Sequence, residues 1–489
     1  MDATVAPAGA RLLTHREARA IVLGVLLPVF MGSVDTTILA SALPTIGRDL
    51  GNVQALPWLV TAYLISATAV TPLYGKISDI RGRRPTLAVA IAIYMVGSLI
   101  CAFAPDMLVL IGGRIVHGMG GGGLTSLAMI VLGDIAAPKD RGRYYAYFAL
   151  TYSTAGATGP VLGGFLADHL HWSMIFWLNI PLGLIAMALT LTLLRRLPRH
   201  ERPHRLDILG ALLIVVASVC FMLALNLGGL SLPWGSGPIV ALLGLAAALG
   251  ACFVARLMTA PEPLIPVAIL ANPEARLAIT AHALGWGSII GLNIFLPMFL
   301  QGAVGATATD AGLSLMIMMG SLNLSAGAAG QLLGRVQRYK TVPMIGMVIA
   351  IGAVLALARL GAGITPWGFE LTVALIGIGF GPLAPLSTVV LQNSVPIHQF
   401  GTAMGTMNFC RTLFATMLVA VFGAIVLGNG SADPGEIAAQ TSGLHPAVGS
   451  AEGFTRVFLA AAAALSAALL SVFVLEEKPL HTEIGARTE

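Results

Sequence analysis

Long apolar stretches, separated by short polar and often basic segments, make up most of the chain. The first runs from Ile21 to Pro44 and contains Asp35 as its only charged residue. At about 1.5 Å per residue, a helix of that length spans about 36 Å, enough to cross a hydrocarbon core of about 30 Å. The pattern therefore predicts a membrane-spanning helix with an acid inside it.

Windows of about 19 apolar residues predict fourteen such spans. The expected fold class is therefore an all-α polytopic membrane protein. An even number of spans places both termini on the same side of the membrane. The predicted spans are residues 19–43, 55–74, 86–104, 107–132, 144–167, 172–194, 207–227, 238–258, 277–301, 309–333, 342–360, 367–390, 401–428 and 453–475.

The segments between the spans differ in charge from one side of the membrane to the other. With the N-terminus inside, most of the 27 Lys and Arg residues fall in cytoplasmic segments. Short cytoplasmic loops are enriched in these residues, so the distribution predicts that both termini are cytoplasmic.

A faint internal repeat divides the chain. The polar loop Gly75 to Arg84, after the second span, is echoed by the basic loop Gly334 to Lys340, after the tenth. A duplicated six-helix bundle would leave such a trace. We therefore predict two six-helix bundles with two additional transmembrane helices inserted between them. The predicted divisions are an N-terminal bundle at 1–194, a basic linker with the inserted helices at 195–275, and a C-terminal bundle at 276–489.

Composition and missing motifs exclude several classes of protein. The chain is 57% hydrophobic and 10% charged, whereas soluble domains carry about 25% charged residues. The four cysteines lie in apolar spans without CxxC spacing, so no metal site or disulfide framework is indicated. No HExxH, GxSxG or GxxxxGK[ST] motif is present, which argues against a membrane enzyme or an ATP-driven pump. The basic residues follow the membrane topology and indicate no nucleic-acid partner.

The loop GKISDIRGRRP, which begins at Gly75, resembles the signature between helices two and three of the major facilitator superfamily. In that family, glycines allow a tight turn, and Asp and Arg form a charge network thought to lock the outward-facing state. Ile80 departs from the family, which usually has Arg there. The resemblance implies a conformational-switch motif made of Gly75, Asp79, Gly82, Arg83 and Arg84.

Two further segments resemble motifs of the fourteen-helix drug:proton antiporter branch of this superfamily. SVDTTILASALP resembles the helix-one motif and contains Asp35 and Thr37, with Ala40 where Asn is common. IGGRIVHGMGGGG resembles the helix-four motif with its intramembrane Arg, here Arg114, and has His117 in place of the usual Gln.

Two more motifs extend the resemblance along the chain. TGPVLGG resembles the antiporter signature of helix five, which implies that Gly159, Pro160, Gly163 and Gly164 allow close helix approach and a kink. HWSMIFWLNIPLG resembles the start of helix six, with Ser173 in place of the usual Arg.

The resemblance implies a secondary transporter that exports lipophilic or amphiphilic compounds in exchange for protons by alternating access. It implies a bacterial inner-membrane location, no enzymatic activity and no cofactor or metal, with cargo, protons and the bilayer as partners. The glycine run Gly120 to Gly123 could pack helices within a monomer or between monomers, and we favour the monomer. A periplasmic adaptor is left open. The alternative is the same fold exporting a specific metabolite, peptide or lipid, with or without protons; a receptor or scaffold would not need the acid in span one.

Asp35 is the leading candidate for carrying the proton. A charged Asp at the bilayer centre costs about 2.5 to 3.5 kcal/mol, so such residues normally face a polar path. We expect Arg114 and His117 to modulate it. The alternatives are that one structural partner permanently neutralises Asp35 and that Arg114 snorkels or binds backbone carbonyls.

Other polar and aromatic residues inside the spans suit a cavity for amphiphilic cargo, although any one of them alone is more often a helix-packing residue. Arg411 stands out among them, because an uncompensated cation there could select an anionic cargo or pair with a carboxylate. The expected cavity residues are Thr37, Tyr63, Trp286, Asn293, Phe295, Gln301, Asn408 and Arg411.

Overall fold

The structure is a computed structural model, and its description starts after the first fourteen residues. The loops on which part of the topology prediction rests, the linker 197–205 and both termini, lie outside the described residues. Within the described residues the secondary structure is helical, apart from one isolated bridge between Gly228 and Leu232. The described residues are 15–51, 55–135, 141–196, 206–228, 232–306, 308–333, 339–396, 399–427 and 451–477.

The apolar stretches of the sequence form long helices. In chain order they are α1 (His15–Leu50), α2 (Leu56–Arg81), α3 (Arg83–Ala102), α4 (Met107–Ile135), α5 (Arg141–His169), α6 (Met174–Leu193), α7 (Ile208–Leu227), α8 (Gly237–Thr259), α9 (Val267–Ala271), α10 (Pro273–Gly302), α11 (Ala308–Leu333), α12 (Thr341–Leu360), α13 (Pro366–Phe380), α14 (Leu383–Ser394), α15 (Phe400–Leu427) and α16 (Ala451–Val474).

Among the described residues, twelve helical stretches are long and apolar enough to cross a membrane by length and composition. The stretch Pro366–Ser394, which comprises α13 and α14, counts as one of them. The two other long helices, α2 and α5, are not among the twelve. The fourteen spans predicted from the sequence are therefore not confirmed by this measure, whereas the all-helical membrane fold is.

The predicted span 367–390 is not one continuous helix. α13 ends at Phe380 and α14 begins at Leu383, and Gly381 and Pro382 lie between them. Proline has no backbone N–H to donate and its ring clashes with the preceding turn, which explains the break. A Cβ at Gly381 would meet the backbone of α11, so glycine also permits the close approach of these two helices.

The helix packing repeats itself. In the first group, α1 packs on α5 and α6, α4 packs on α2 and α3, and α3 packs on α6. In the second group, α10 packs on α15 and α16, α13 packs on α11 and α12, and α12 packs on α16. Each helix of α1–α6 thus has a counterpart, in the same order, among α10–α16, with α13 and α14 acting as one. The molecule is built from two six-helix bundles of the same design.

The helices α7 and α8 pack on each other between these groups in the chain, and α7 also contacts α2 and α15. Asp207 caps the N-terminus of α7 by accepting a hydrogen bond from the backbone N–H of Gly210. The same carboxylate accepts from Arg256 of α8 at 3.1 Å. One side chain therefore starts the first inserted helix and joins it to the second.

The two bundles meet along α2 with α15 and along α5 with α11. Gly75 on α2 faces Gly401 and Gly405 on α15, and a Cβ at Gly75 would overlap the carbonyl of Gly401. Asn323 on α11 donates to the hydroxyl of Ser153 on α5 at 2.8 Å. Backbone proximity at one contact and a side-chain hydrogen bond at the other hold the bundles together.

Candidate functional site

A buried ion pair joins α1 and α4 inside the first bundle. Nη1 of Arg114 lies 2.8 Å from Oδ1 and 2.7 Å from Oδ2 of Asp35. Both residues are 1% exposed. Nε of Arg114 also donates to the backbone carbonyl of Leu59 on α2 at 2.9 Å. Arg114 therefore does not snorkel toward solvent; its guanidinium links α1, α2 and α4 through the acid of the first span.

His117 completes this polar cluster. Its Nδ1 lies 3.0 Å from Nη1 of Arg114 and 3.6 Å from Oδ1 of Asp35. A guanidinium nitrogen can only donate, so Nδ1 accepts and Nε2 is the position left for a ring proton. Nη1 carries only two hydrogens, and three acceptors lie within 3.0 Å of it. The carboxylate and the imidazole therefore compete for the same donor.

Aromatic rings enclose the cluster. Cζ of Arg114 lies 4.3 Å from the ring centroid of Tyr63, a cation–π contact. The ring centroid of Tyr94 lies 3.9 Å from that of His117, and the Tyr94 hydroxyl donates to the carbonyl of Met31 at 3.2 Å. Ion pairs are stronger where water is excluded, so this enclosure strengthens the pairing of Asp35 and Arg114.

The glycine run of α4 brings these rings close. A Cβ at Gly120 would overlap the backbone of Tyr94 on α3, and one at Gly118 would overlap the backbone of Tyr63 on α2. Small residues let membrane helices approach to backbone contact. The run therefore packs within the chain and positions both rings around the cluster.

A second polar network lies at the end of α2. Nη1 of Arg83 lies 2.5 Å from Oδ1 of Asp79, and its Nε donates to Oδ2 of Asp134 at 2.7 Å. Asp134 belongs to the end of α4. Arg83 thus connects α2, α3 and α4 within the first bundle.

Asp79 also reaches across to the second bundle. Its carboxylate accepts hydrogen bonds from the backbone N–H groups of Gly401 and Thr402, at 3.1 and 2.7 Å, and from the Thr402 hydroxyl at 2.8 Å. These donors lie in the first turn of α15, where unpaired N–H groups and the helix dipole favour an anion. Asp79 is therefore shared between Arg83 of one bundle and the start of α15 in the other.

The remaining residues of the loop motif have separate places. Gly82 connects α2 to α3 with φ +89°, a conformation that favours glycine. Gly75 provides the close contact with α15 described above. Arg84 is partly buried, and its Nε has no hydrogen-bond partner among the described residues.

The motif on α5 lies against α1. Thr37 donates to the carbonyl of Val34 on its own helix at 3.0 Å and lies 3.3 Å from that of Ala155 on α5. A Cβ at Gly159 would overlap the Thr37 side chain. Gly163 is buried in α5, and the helix continues through Pro160 and Gly164. Thr37 is therefore a contact between helices at this position.

Replacing Gly159 with alanine is expected to push α1 and α5 apart. Overpacking of this kind costs about 1–3 kcal/mol, so thermal unfolding in detergent should begin at a lower temperature for Gly159→Ala than for the native protein. The matched control is Gly156→Ala, one turn earlier on α5, where an added Cβ meets nothing within 4 Å. Equal stability of the two variants would contradict the proposed close contact.

Three of the predicted cavity residues in the second bundle lie apart from one another. Phe295 is 5% exposed and packs against Phe422 in the core, with ring centroids 6.1 Å apart. Asn293 lies 4.0 Å from the sulfur of Met319. Gln301 is exposed at the end of α10. The structure does not bring these three side chains to one site.

Three others do come together. Cζ of Arg411 on α15 lies 5.7 Å from the ring centroid of Trp286 on α10. Asn408 precedes Arg411 by one turn of α15 and is 6% exposed. Two residues that the sequence analysis did not select lie near this group: His282 of α10, whose ring centroid is 6.2 Å from that of Trp286, and Tyr152 of α5.

Asp134 was also absent from the sequence-based candidates. Its signal is an isolated acid at the end of an apolar span next to a basic loop, LGDIAAPKDRGR. Tyr94 and Tyr152 carry no such signal, because tyrosine is common in membrane helices for packing alone.

Comparison with known proteins agrees with this fold. The sequence model described as Major Facilitator Superfamily matches residues 25–420. The multidrug transporter protein MdtP of Bacillus subtilis is 31% identical over 411 residues, which cover 83% of this chain and 75% of that protein. Multidrug resistance protein 3 of the same organism is 31% identical over 415 residues, covering 83% and 79%.

A solved structure has the same architecture at low sequence identity. The crystal structure of a bacterial homologue of the iron transporter ferroportin, in an outward-facing state, superposes with a TM-score of 0.64 at 14% identity and covers 94% of this chain and 98% of that one. The family match spans most of the chain, and the structure with its two repeated bundles superposes on a solved transporter over nearly its whole length. The chain therefore belongs to the major facilitator superfamily.

Proposed function

We propose that this protein is a secondary transporter that exports lipophilic or amphiphilic compounds in exchange for protons. The observation that carries the proposal is the carboxylate of Asp35, 1% exposed in a membrane-spanning helix and paired with Arg114. Relatives at about 31% identity are named multidrug transporter and multidrug resistance proteins, which supports export as the direction and amphiphilic compounds as the cargo class.

The chemistry of the cluster suits proton exchange. When Asp35 takes up a proton, it loses the negative charge that attracts Arg114. Arg114 still has other partners, the Leu59 carbonyl, His117 and the Tyr63 ring. Protonation therefore weakens the link between α1 and α4 without leaving the guanidinium bare. This gives the two charge states of Asp35 different helix packing, which is the requirement for coupling a proton to a conformational change.

The contact between the bundles supplies the element that changes. Asp79 and the close contact of Gly75 with Gly401 hold α2 against α15 at one end of the molecule. We propose that this end is cytoplasmic and that separating α2 from α15 opens the cargo path to the cytoplasm. The repeated bundles then rock about the cargo site between them.

The proposed topology has fourteen spans. α2 has 26 residues and α5 has 29. At about 1.5 Å per residue, each is long enough to cross the hydrocarbon core. Together with the twelve apolar stretches they make fourteen spans. With the basic loops inside, both termini are cytoplasmic in a bacterial inner membrane. The proposal needs no cofactor, and it takes the monomer as the functional unit.

The test is cargo-driven proton movement in proteoliposomes that enclose a pH-sensitive dye. Three naphthalene compounds form the panel: the anion naphthalene-2-sulfonate, the neutral naphthalene-2-sulfonamide and the cation (2-naphthylmethyl)trimethylammonium. The anion and the cation carry permanent charges, so they move no protons by passive crossing. At least one compound is expected to drive proton movement that a protonophore removes and that protein-free liposomes lack.

A second candidate function is export without protons. The close pairing of Asp35 with Arg114 is the observation that favours this second function. A carboxylate that stays paired throughout the transport cycle joins α1 to α4 and carries no proton. Transport of a radiolabelled panel compound that is indifferent to an imposed pH gradient would support this second reading and contradict the first.

A further inference from the structure

Arg114 and Arg411, which both lie well inside apolar helices, have opposite surroundings. Arg114 is paired with Asp35. For Arg411, which is partly buried, no carboxylate of the described residues lies within ion-pair distance. A cation that is even partly removed from water is unfavourable unless it is paired. The charge at Arg411 therefore lacks the protein partner that the charge at Arg114 has.

Three buried nitrogen atoms lie on α10 and α15 near Arg411. They are Nε1 of Trp286, Nδ1 of His282 and Nδ2 of Asn408, and none has a hydrogen-bond partner among the residues that the structure describes. His282 is 4% exposed and Asn408 is 6% exposed. Buried polar groups in native proteins are nearly always hydrogen-bonded, so several orphans in one place indicate an absent partner.

These groups share one location. Cζ of Arg411 lies 5.7 Å from the Trp286 ring centroid, and the His282 and Trp286 ring centroids are 6.2 Å apart. His282 and Trp286 are one turn apart on α10, and Asn408 and Arg411 are one turn apart on α15, so each pair shares a helix face. α10 packs against α15. The cluster therefore lies between these two helices of the second bundle.

The chemistry of the cluster specifies its missing partner. The guanidinium, the indole N–H and the amide NH2 are donors, and the imidazole adds a donor in one tautomer. A ligand that satisfies them must offer several acceptor oxygens and negative charge, and an arginine fork matches carboxylate, sulfonate or phosphate oxygens. The ring of Trp286, with Phe380 edge-on at 5.4 Å, offers an apolar surface beside the charge.

We propose that Arg411, Trp286, His282 and Asn408 form an anion-binding site and that the cargo of this transporter includes amphiphilic organic anions with an aromatic or apolar body. The cargo's acidic group pairs with Arg411, and its body lies against Trp286. That the bound anion is cargo rests on the proposed export function, whereas binding at this site requires no proton coupling.

Equilibrium binding in detergent solution tests the site without any proton gradient. Isothermal titration of the purified full-length protein compares naphthalene-2-sulfonate with naphthalene-2-sulfonamide and (2-naphthylmethyl)trimethylammonium. The three share one ring system and differ in charge. The native protein is expected to bind the sulfonate at least about tenfold more tightly than the sulfonamide, because only the sulfonate forms a charge-assisted pair with Arg411.

Three variants assign the preference to the cluster. Arg411→Gln should bind the sulfonate and the sulfonamide equally, and Arg411→Lys should retain a reduced preference because a point charge replaces the fork. Trp286→Phe keeps an aromatic surface but removes the N–H, so it should weaken the sulfonate more than the cation. Arg411→Gln should unfold at the same or a higher temperature, since an unpaired and partly buried charge is removed; a structural arginine would show the opposite.

Several outcomes would overturn the inference. Equal binding of the three compounds by the native protein, tighter binding of the cation, or no binding of the sulfonate would each do so. An unchanged sulfonate preference in Arg411→Gln would place the anion elsewhere. If the sulfonate binds as expected while no compound moves protons in proteoliposomes, the anion site stands and proton-coupled export fails.

Discussion

Replacing Asp35 with asparagine is expected to abolish cargo-driven proton movement while leaving cargo binding in place. Asparagine has nearly the same shape, and its amide oxygen can still accept from Arg114, but it cannot take up or release a proton. The guanidinium of Arg114 keeps its proton in proteins, so Asp35 is the member of this pair that can take up and release one. The measurement is proton release into the dye-loaded proteoliposomes, with cargo exchange across the same membranes measured in parallel.

The main risk of this variant is misfolding, because Arg114 would remain as a buried cation without its counter-charge. Removing one partner of a buried pair typically costs about 3–5 kcal/mol. The double variant Asp35→Asn/Arg114→Gln removes both charges, so it should regain stability over the single variant and still fail to move protons. Full proton-driven transport by either variant would exclude Asp35 as the coupling residue.

The ion pair shows how much of such a site can be predicted from sequence. Asp35 and Arg114 are each a lone charge inside an apolar stretch, and a buried charge must find a partner. That rule, with the family resemblance, was enough to expect Arg114 and His117 near the acid. The enclosing rings could not be expected, because the position of Tyr94 depends on the close approach that Gly120 permits between α3 and α4.

The second bundle shows where sequence reasoning fails. Aromatic and amide side chains serve both packing and cargo binding in membrane helices, so residue type alone does not separate the two roles. Phe295 packs into the core and Gln301 lies exposed at a helix end, whereas Trp286 and Asn408 gather around Arg411. Which of these side chains come together depends on how each helix is rotated about its own axis. That rotation is set by contacts between distant parts of the chain.

The overall fold was easier to predict than the number of spans. The resemblance to the major facilitator superfamily is confirmed, and the two bundles repeat the same packing. In the part of the chain that the structure describes, twelve stretches rather than fourteen are long and apolar enough to cross a membrane. α2 carries Lys76, Asp79 and Arg81 near its end, which makes this helix less apolar, and Asp79 among them makes the contact with α15.

Replacing Asp79 with asparagine is expected to open the contact between α2 and α15. The carboxylate accepts three hydrogen bonds from Gly401 and Thr402 of α15. Asparagine replaces one of the two carboxylate oxygens with an NH2 group, which cannot accept a hydrogen bond. At least one of the three bonds is therefore lost, and the NH2 group faces another donor. Hydrogen bonds to charged groups contribute about 1.5–3 kcal/mol each. Loss of about 3 kcal/mol corresponds to about a hundredfold shift in a two-state equilibrium toward the separated bundles.

A cysteine reporter on α15 measures that shift. Thr406 is 2% exposed and lies one turn after Thr402 on α15, on the same face. With the native cysteines replaced, maleimide labelling of Thr406→Cys should be slow in the parent protein and much faster in the presence of Asp79→Asn.

The matched control for this experiment is Asp134→Asn. Asp134 also binds Arg83, but that contact lies within the first bundle and leaves the bonds from Asp79 to α15 in place. If the carboxylate of Asp79 itself holds the two bundles together, only Asp79→Asn should accelerate labelling. Equal acceleration by both variants would mean that Arg83 holds the contact through the charge network as a whole. No acceleration by either would mean that the glycine contact of Gly75 with α15 is sufficient to keep the bundles closed.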